Sequence, residues 1–142
     1  MYVVILGGGR IGRSLARWVA NSQHEVTVIE KNPLKCAGLD EELGSISLLG
    51  NGTEPNTLRQ AGTKRASTFI ATTSIDDDNL MSCQLAKHVF GVAMTMSVVN
   101  SHSHHRLFEL LGIGTSINIP ELILGRLREE VSKIILSEET NL

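Results

Sequence analysis

The sequence has no excess of charge of either sign. Thirteen Lys and Arg residues stand against fifteen Asp and Glu residues, which leaves a formal net charge of −2. Proteins that hold nucleic acid or an anionic membrane surface through electrostatics need a basic field, and this composition does not supply one. We therefore expect no nucleic acid among the partners of this chain.

Cysteines are few and long hydrophobic runs are missing. Cys36 and Cys83 form no CxxC pair, which argues against a zinc site and against a disulfide framework, so reduced thiols are expected. The first apolar run, residues 3–6, is far shorter than the ~18 residues of a spanning helix, and no basic segment precedes it as in a signal peptide. These absences predict a cytosolic chain without direct membrane insertion.

Short β-branched runs alternate with helix-period segments along the chain. This alternation is typical of a parallel sheet covered by helices on both faces. Within this pattern, Thr53 is expected to cap the third helix, with Pro55 in its first turn, and Gly91 and Gly112 are expected to end helices in left-handed conformations. The predicted strands are 2–6, 26–30, 45–49, 68–72, 94–98 and 116–119, and the predicted helices between them are 11–21, 33–43, 54–60, 77–89 and 104–111.

A last helix is predicted at 121–136. Its apolar residues recur at helical spacing, so we expect one stripe to pack against the sheet while additional Leu and Ile residues require another cover. The sequence thus predicts an α/β domain over 1–120 and an interface helix with its tail over 121–142. The cover that we expect is a second subunit.

A glycine-rich turn separates the first strand from the first helix. Gly7, Gly9 and Gly12 have the GxGxxG spacing, and Glu30 ends the next strand 18 residues after Gly12. In this context the glycines permit a tight turn, a close approach of the backbone to a pyrophosphate and close packing of helix on strand. The free N–H groups and the helix dipole would then face the phosphates. The fold class predicted is α/β, a Rossmann-type doubly wound parallel six-stranded sheet with a C-terminal amphipathic helix.

Glu30 is suited to accept hydrogen bonds from both hydroxyls of an adenosine ribose. A 2′-phosphate in the same place would meet a like charge, so NADP is disfavoured. The alternative interpretation is a glycine-rich turn followed by a solvated glutamate at a strand end. The combined strand, helix and acid spacing favours the nucleotide site.

Asn51, Gly52 and Thr53 follow the third strand at the same edge of the sheet. Asn51 offers a donor and an acceptor to an adenine edge. The alternative, which the local sequence favours, is a turn in which Asn51 and Gly52 supply positive φ and Thr53 caps the next helix. Both interpretations stay open at this point.

The sequence resembles the nucleotide-binding domain of the Trk/Ktr potassium-uptake regulatory subunits, the KTN or RCK N-terminal domain. The resemblance implies a regulatory protein, not an enzyme, that binds NAD(H) or ATP/ADP and forms homodimers or higher rings. It also implies a membrane potassium-transporting subunit as partner, which would hold the protein in the cytoplasm at the inner face of the cell membrane. The segments that carry the resemblance are GGGRIG at 7–12, VTVIEKNP at 26–33, GNGTEPNTLRQAG at 50–62, FIATTSIDDDN at 69–79, VVN at 98–100, RLFELLG at 106–112 and IPE at 119–121.

The same resemblance assigns roles around one nucleotide. It assigns a separate set of residues to the phosphates, to the ribose, to the adenine and to the remaining half of the ligand. Residues next to these in sequence complete the site. The phosphates would lie against Gly7, Gly9, Arg10 and Gly12, with Ile11 as their neighbour, and the ribose would lie against Glu30, with Lys31 as its neighbour. The adenine would lie against Asn51, Gly52 and Thr53, and the remaining half of the ligand against Thr72, Thr73 and Asn100.

Two other functions remain as alternatives. One is a fragment of an NAD-dependent oxidoreductase, although only one helix follows the sixth strand and hydride transfer requires a held substrate. The other is the regulatory domain of a potassium-efflux antiporter or channel. Because Met1 directly precedes the first strand, we expect a natural start, whereas the end after the last helix fits either a truncated or a minimal member of the family.

Two polar clusters are weaker candidates for metal sites. Asp76, Asp77 and Asp78 have the oxygen ligands that hard cations prefer, but acids at a helix start also satisfy free N–H groups there. The histidines near residue 104 have no Cys or paired carboxylate at a recognised spacing. No metal is therefore expected.

Overall fold

The computed structural model describes residues 1–141. Six strands form one parallel sheet in the order β3-β2-β1-β4-β5-β6, so the order reverses between β1 and β4. This is the doubly wound architecture that the sequence predicts. The strands are β1 (Tyr2–Leu6), β2 (Glu25–Glu30), β3 (Ser47–Leu49), β4 (Thr68–Ala71), β5 (Met94–Val99) and β6 (Thr115–Asn118).

The helices lie close to their predicted positions. Pro33 begins α2 directly after Asn32, whose side chain accepts a hydrogen bond from the backbone N–H of Leu34. Pro55 likewise occupies the first turn of α3, and proline there sacrifices no helical hydrogen bond. The helices are α1 (Arg10–Asn21), α2 (Pro33–Leu43), α3 (Pro55–Gln60), α4 (Asp76–His88), α5 (His105–Leu110) and α6 (Ile119–Thr140), with short 3-10 helices at Thr63–Arg65 and His102–His104.

The core occupies both faces of the sheet. Successive residues of β1 are buried on opposite sides, as expected for a central strand of a parallel sheet. Val3 and Ile5 pack with α1 and α2, whereas Val4 and Leu6 belong to the cluster that includes Phe69 and residues of α3, α4 and α5. The crevice at the order reversal therefore lies between two helical layers.

Two predictions about the ends of helices are confirmed and one is wrong. Gly91 and Gly112 have φ of +69° and +72°, the left-handed conformation expected there. Thr53 does not cap α3, because the helix begins at Pro55 and Glu54 occupies the capping position. The Thr53 hydroxyl donates instead to Oδ1 of Asn51. The helix therefore starts one residue later than a Thr53 cap requires.

The last helix also departs from expectation. It was expected to pack one stripe against the sheet, but within Ile119–Thr140 no residue is buried, and the main contacts of α6 are with β6 and the 3-10 helix His102–His104. Leu127 and Ile134 are 57% and 58% exposed. Most of α6 therefore has no cover within residues 1–141.

The described residues 1–141 include no helix that is both long enough and apolar enough to cross a bilayer.

Candidate functional site

A crevice of about 370 Å³ opens at the carboxyl edge of the sheet, where the strand order reverses. Open α/β sheets bind their ligands at this point because the connections of the two halves leave it in opposite directions. The crevice is lined by Leu6, Gly7, Gly9, Arg10, Ile11, Ile29, Glu30, Lys31, Lys35, Asn51, Gly52, Thr53, Thr72, Thr73, Ser74, Ile75, Asp78 and Asn100.

The three glycines of the turn have three different environments. Gly7 has φ of +101°, which side chains rarely adopt. A Cβ on Gly12 would lie 1.8 Å from the carbonyl oxygen of Gly7, so only glycine lets α1 pack this closely on the turn. A Cβ on Gly9 would meet no atom within 4 Å, because Gly9 faces the open crevice.

The start of α1 also faces the crevice. Gly9 occupies the capping position, and within residues 1–141 no side chain caps this helix. The backbone N–H groups of the first turn therefore retain their capacity to bind an anion. Arg10, an exposed residue of the same turn, adds a guanidinium to this end of the crevice.

Glu30 is held by backbone donors at both carboxylate oxygens. Its Oε1 accepts a hydrogen bond from the N–H of Gly8 at 3.0 Å, and its Oε2 accepts one from the N–H of Asn32 at 2.8 Å. The two contacts orient the carboxylate between the glycine-rich turn and the start of α2. Each oxygen keeps a further acceptor site for a ligand hydroxyl.

The turn after β3 is organised by Asn51. Its Oδ1 accepts hydrogen bonds from the backbone N–H of Thr53 at 3.0 Å and from the Thr53 hydroxyl at 2.7 Å. The prediction of positive φ at Asn51 and Gly52 is wrong, since neither residue has it. Gly52 is required by space instead, because a Cβ there would lie 2.3 Å from Cδ1 of Leu6. With Oδ1 engaged, the amide nitrogen of Asn51 is its main group for a ligand.

The opposite side of the crevice is a hydrogen-bonded network from β4, α4 and β5. The Thr72 hydroxyl donates to the carbonyl of Leu6 at 2.9 Å, and the Thr73 hydroxyl lies 2.6 Å from Oδ1 of Asn79. Nδ2 of Asn100 donates to the carbonyl of Thr73 and to Oδ1 of Asp76, both at 2.9 Å. Because both donors of Asn100 are used, its side-chain oxygen is the group left for a ligand.

Asp76 holds this network together from beneath. Burial by itself would raise the pKa of Asp76, but hydrogen bonds from the N–H groups of Asn100 and Ser101 and from the side chains of His104 and Asn100 outweigh burial and hold its pKa below the ordinary value. The side chain is almost fully buried, and its Oδ2 lies 2.8 Å from Nδ1 of His104. The Asp76 carboxylate therefore stabilises the segment that follows β5, residues 100–104, which we call the β5 connection.

The candidate metal clusters are not assembled. Among residues 1–141, no three His, Cys, Asp or Glu side chains come together in a way that could hold a metal ion. His104 pairs with Asp76, the ring of His102 contacts the amide of Asn118, and Nε2 of His105 lies 3.2 Å from Glu109. The histidines therefore face different partners.

Nearly all of the predicted site residues meet in this crevice. Gly12 is the exception, because it lies beneath the turn against Gly7. Sequence reasoning missed Lys35, Ser74 and Ile75 as lining residues. Lys35 lies in the first turn of α2, four residues after Lys31, while Ser74 and Ile75 directly follow Thr73, so adjacency to predicted residues was the available signal.

Comparison with known proteins agrees with this geometry. The TrkA-N domain family matches residues 3–119. A Trk system potassium uptake protein TrkA homolog of Methanothermobacter thermautotrophicus is 35% identical over 133 residues, which cover 94% of this chain and 61% of that protein. The homolog of the same name from Pyrococcus horikoshii is 35% identical over 109 residues, 77% of this chain and 48% of that protein.

A solved structure shows the same fold. The GsuK channel bound to NAD superposes with a TM-score of 0.77 at 26% sequence identity, covering 89% of this chain and 22% of the channel chain. This chain thus spans about half to three fifths of its sequence relatives and a smaller part of the channel. The resemblance drawn from the sequence is confirmed, and the chain belongs to the TrkA-N domain family.

Proposed function

We propose that this chain is the nucleotide-sensing part of a potassium transport regulator. In this function it binds NAD(H), or ATP and ADP, in the crevice at the strand-order reversal and catalyses no reaction. The observation that carries the proposal is the open face of Gly9 beside the uncapped start of α1, with the Glu30 carboxylate held next to them. The relatives named as potassium uptake proteins and the channel bound to NAD support it.

The residues of the crevice fit an adenine nucleotide in a definite direction. The first turn of α1 and Arg10 would hold phosphates through backbone N–H groups and a guanidinium. Glu30 would accept the ribose hydroxyls with the acceptor sites that Gly8 and Asn32 leave free. Asn51, Gly52 and Thr53 would then border the adenine, with Asn51 acting as a donor.

The other half of the crevice fits a second group that makes hydrogen bonds and carries no phosphate of its own. Thr72, Thr73 and Asn100 come from β4 and β5, across the order reversal from Glu30. In a dinucleotide this half would border the nicotinamide riboside, and the side-chain oxygen of Asn100 would accept hydrogen bonds from it. A mononucleotide would fill the Glu30 half and extend only its phosphates toward this side.

The proposal includes assembly with a second copy of the chain. Ile123, Leu124, Leu127, Val131, Ile134 and Ile135 share one face of α6 by helical period, and each is at least 42% exposed. A continuous apolar face of this kind marks an interaction surface. We propose residues 1–120 as the nucleotide-binding unit and residues 121–142 as the interface segment, of which Leu142 lies outside the described residues.

Binding is tested first, by calorimetry of the purified chain. We expect NADH to bind at least about tenfold more tightly than NADPH, equivalent to about 1.4 kcal/mol, because the Glu30 carboxylate repels a 2′-phosphate. Glu30→Gln removes that charge and should narrow the ratio. Equal affinities of the wild type for NADH and NADPH would contradict the role of Glu30.

Regulation is tested by reconstituting the chain with its potassium-transporting partner. Flux is measured under saturating ATP, ADP, NADH and NAD, for wild type and for Arg10→Ala. We propose that the nucleotide changes flux by shifting the equilibrium between two arrangements of the subunits. A ligand can do so only through its different affinities for the two arrangements, and typical coupling free energies are about 1–3 kcal/mol, or roughly 5–150-fold in affinity. Identical wild-type flux with every bound nucleotide, or turnover of NADH by the chain alone, would contradict the proposed function.

A further inference from the structure

An ion pair crosses the crevice between the two helical layers. Nζ of Lys31 lies 2.9 Å from Oδ2 of Asp78, and both residues line the crevice. Lys31 stands between β2 and α2, on the layer of α1 and α2, whereas Asp78 belongs to the first turn of α4 in the other layer. The pair, called here the crevice pair, therefore links the ribose side of the crevice to the side of Thr73.

Asp78 has no structural duty comparable to that of its neighbour Asp76. Asp76 accepts hydrogen bonds from two backbone N–H groups and two side chains and is nearly buried. The hydrogen bond from Lys31 is the one that the Asp78 side chain accepts among the described residues, and this side chain is 22% exposed. The carboxylate of Asp78 is thus presented to the crevice and neutralised there by a single lysine.

The charges around the crevice are unevenly placed. Arg10, Lys31 and Lys35 contribute three cations, and Glu30 and Asp78 contribute two carboxylates. Glu30 is oriented by backbone donors at the ribose end. Asp78 adds negative charge at the start of α4, the side of the crevice that a ligand extending from Glu30 past the start of α1 would reach.

Two classes of ligand would meet this carboxylate differently. A dinucleotide brings a second ribose, whose hydroxyls donate hydrogen bonds to a carboxylate. A nucleoside triphosphate brings a terminal phosphate with negative charge, which a carboxylate repels while it also occupies the lysine that would otherwise bind phosphate. A like charge placed against the wrong ligand is a common means of discrimination.

We propose that Asp78 is a specificity-determining residue that makes the crevice favour adenine dinucleotides over nucleoside triphosphates, both directly and by retaining Lys31 in the crevice pair. The inference rests on the proposed nucleotide-binding function. It assigns a ligand preference to a residue outside the glycine-rich turn and outside the ribose-binding position.

The test compares Asp78→Asn with Asp77→Asn by calorimetry with NADH and with ATP. Asp77 is the matched control, because it is the exposed adjacent acid on the same helix turn and lines a neighbouring hollow instead of the crevice. In Asp78→Asn, the affinity for ATP should rise relative to that for NADH by about fivefold at low ionic strength, the upper range for an exposed ion pair. Added salt should reduce the change, and Asp77→Asn should leave the ratio at the wild-type value.

A second variant identifies the contribution of Lys31. Adding Lys31→Met to Asp78→Asn should return the ATP affinity toward the wild-type value, because the freed ammonium is then missing. If Asp78→Asn leaves the ratio unchanged, or changes it no more than Asp77→Asn does, the inference is wrong while the proposed function stands. A wild-type chain that binds neither nucleotide contradicts the proposed function and this inference together.

Discussion

Single residues in the glycine-rich turn are required for different physical reasons. Gly12 is needed for packing, because any Cβ there collides with the backbone of Gly7. Gly9 faces open space and has an extended φ of −74°, so a side chain there would be tolerated by the fold. The motif therefore contains one residue that protects stability and one that leaves room for a ligand.

The same substitution at these two positions should give opposite results. Gly12→Val places atoms against a backbone oxygen that no rotamer change can move, so we expect a loss of about 3 kcal/mol or more, at or beyond the upper end for overpacked sites. Gly9→Val should lower stability by only about 1 kcal/mol, the scale of a poorer helix cap, while abolishing NADH binding. Thermal unfolding and calorimetry on both variants check this. Retained NADH binding in a folded Gly9→Val protein would show that the backbone at Gly9 does not approach the ligand.

A second residue-scale effect concerns Asp76 and pH. Its pKa lies below the ordinary value, so its ionised form stabilises the fold above the unfolded-state pKa of about 3.9, and this stabilisation is lost as pH falls through the folded-state pKa. Asp76→Asn removes the carboxylate acceptor for two N–H groups and should cost roughly 1–3 kcal/mol at pH 7.

The difference between wild type and Asp76→Asn should therefore stay constant from pH 7 to about pH 5 and shrink as the pH falls further toward the folded-state pKa. Unfolding temperatures measured across this range check the prediction, with Asp77→Asn as the control that should behave like wild type. A difference that stays constant down to pH 3 would mean that the charge of Asp76 is not what stabilises the β5 connection.

At the scale of elements, α6 differs from α1–α5 because none of its described residues is buried. Asn118 accepts a hydrogen bond from the N–H of Glu121, and Pro120 lies in the first turn, so the helix start is well defined. Beyond that start its apolar face has no cover within residues 1–141. A helix with such a face gains most of its stability from packing, which here has to come from another molecule.

We expect Leu127→Asp to dissociate the proposed assembly, because burying an unpaired carboxylate in an apolar contact is costly. Ser132→Asp is the matched control: it adds the same charge to the same helix but lies off the apolar face. Sedimentation at micromolar concentration distinguishes the two variants. A monomeric wild type, or an assembly that Leu127→Asp leaves intact, would contradict the role of α6.

At the scale of the whole molecule, the crevice and α6 are joined by a series of polar contacts. Asn100 lines the crevice and binds Asp76, which lies against His104 in the 3-10 helix His102–His104. His102 of that helix contacts the amide of Asn118, which caps α6. Both the ligand site and the proposed interface helix thus adjoin the same short segment, which suits a protein whose ligand is proposed to alter its assembly.

The sequence by itself determined the α/β class, the position of most elements and most residues of the crevice. These features depend on local signals, namely apolar periodicity and the spacing of glycines and Glu30 within one strand–turn–helix–strand unit. The predicted ends of the strands differ from the observed ends by a residue or two, because the extent of strand pairing depends on the neighbouring strand. The error at Thr53 arose because α3 begins one residue later than predicted, which moves the capping position to Glu54.

Only the tertiary structure decided which distant residues meet. Lys31 and Asp78 are separated by 47 positions, and their ion pair exists because the order reversal brings the start of α4 across from the end of β2. The structure likewise decided that α6 has no buried residue, since periodicity shows that a helix has an apolar face but not whether the fold offers a surface that buries it. Local sequence specifies what each segment can form, whereas contacts between segments depend on the space and partners that the whole fold provides.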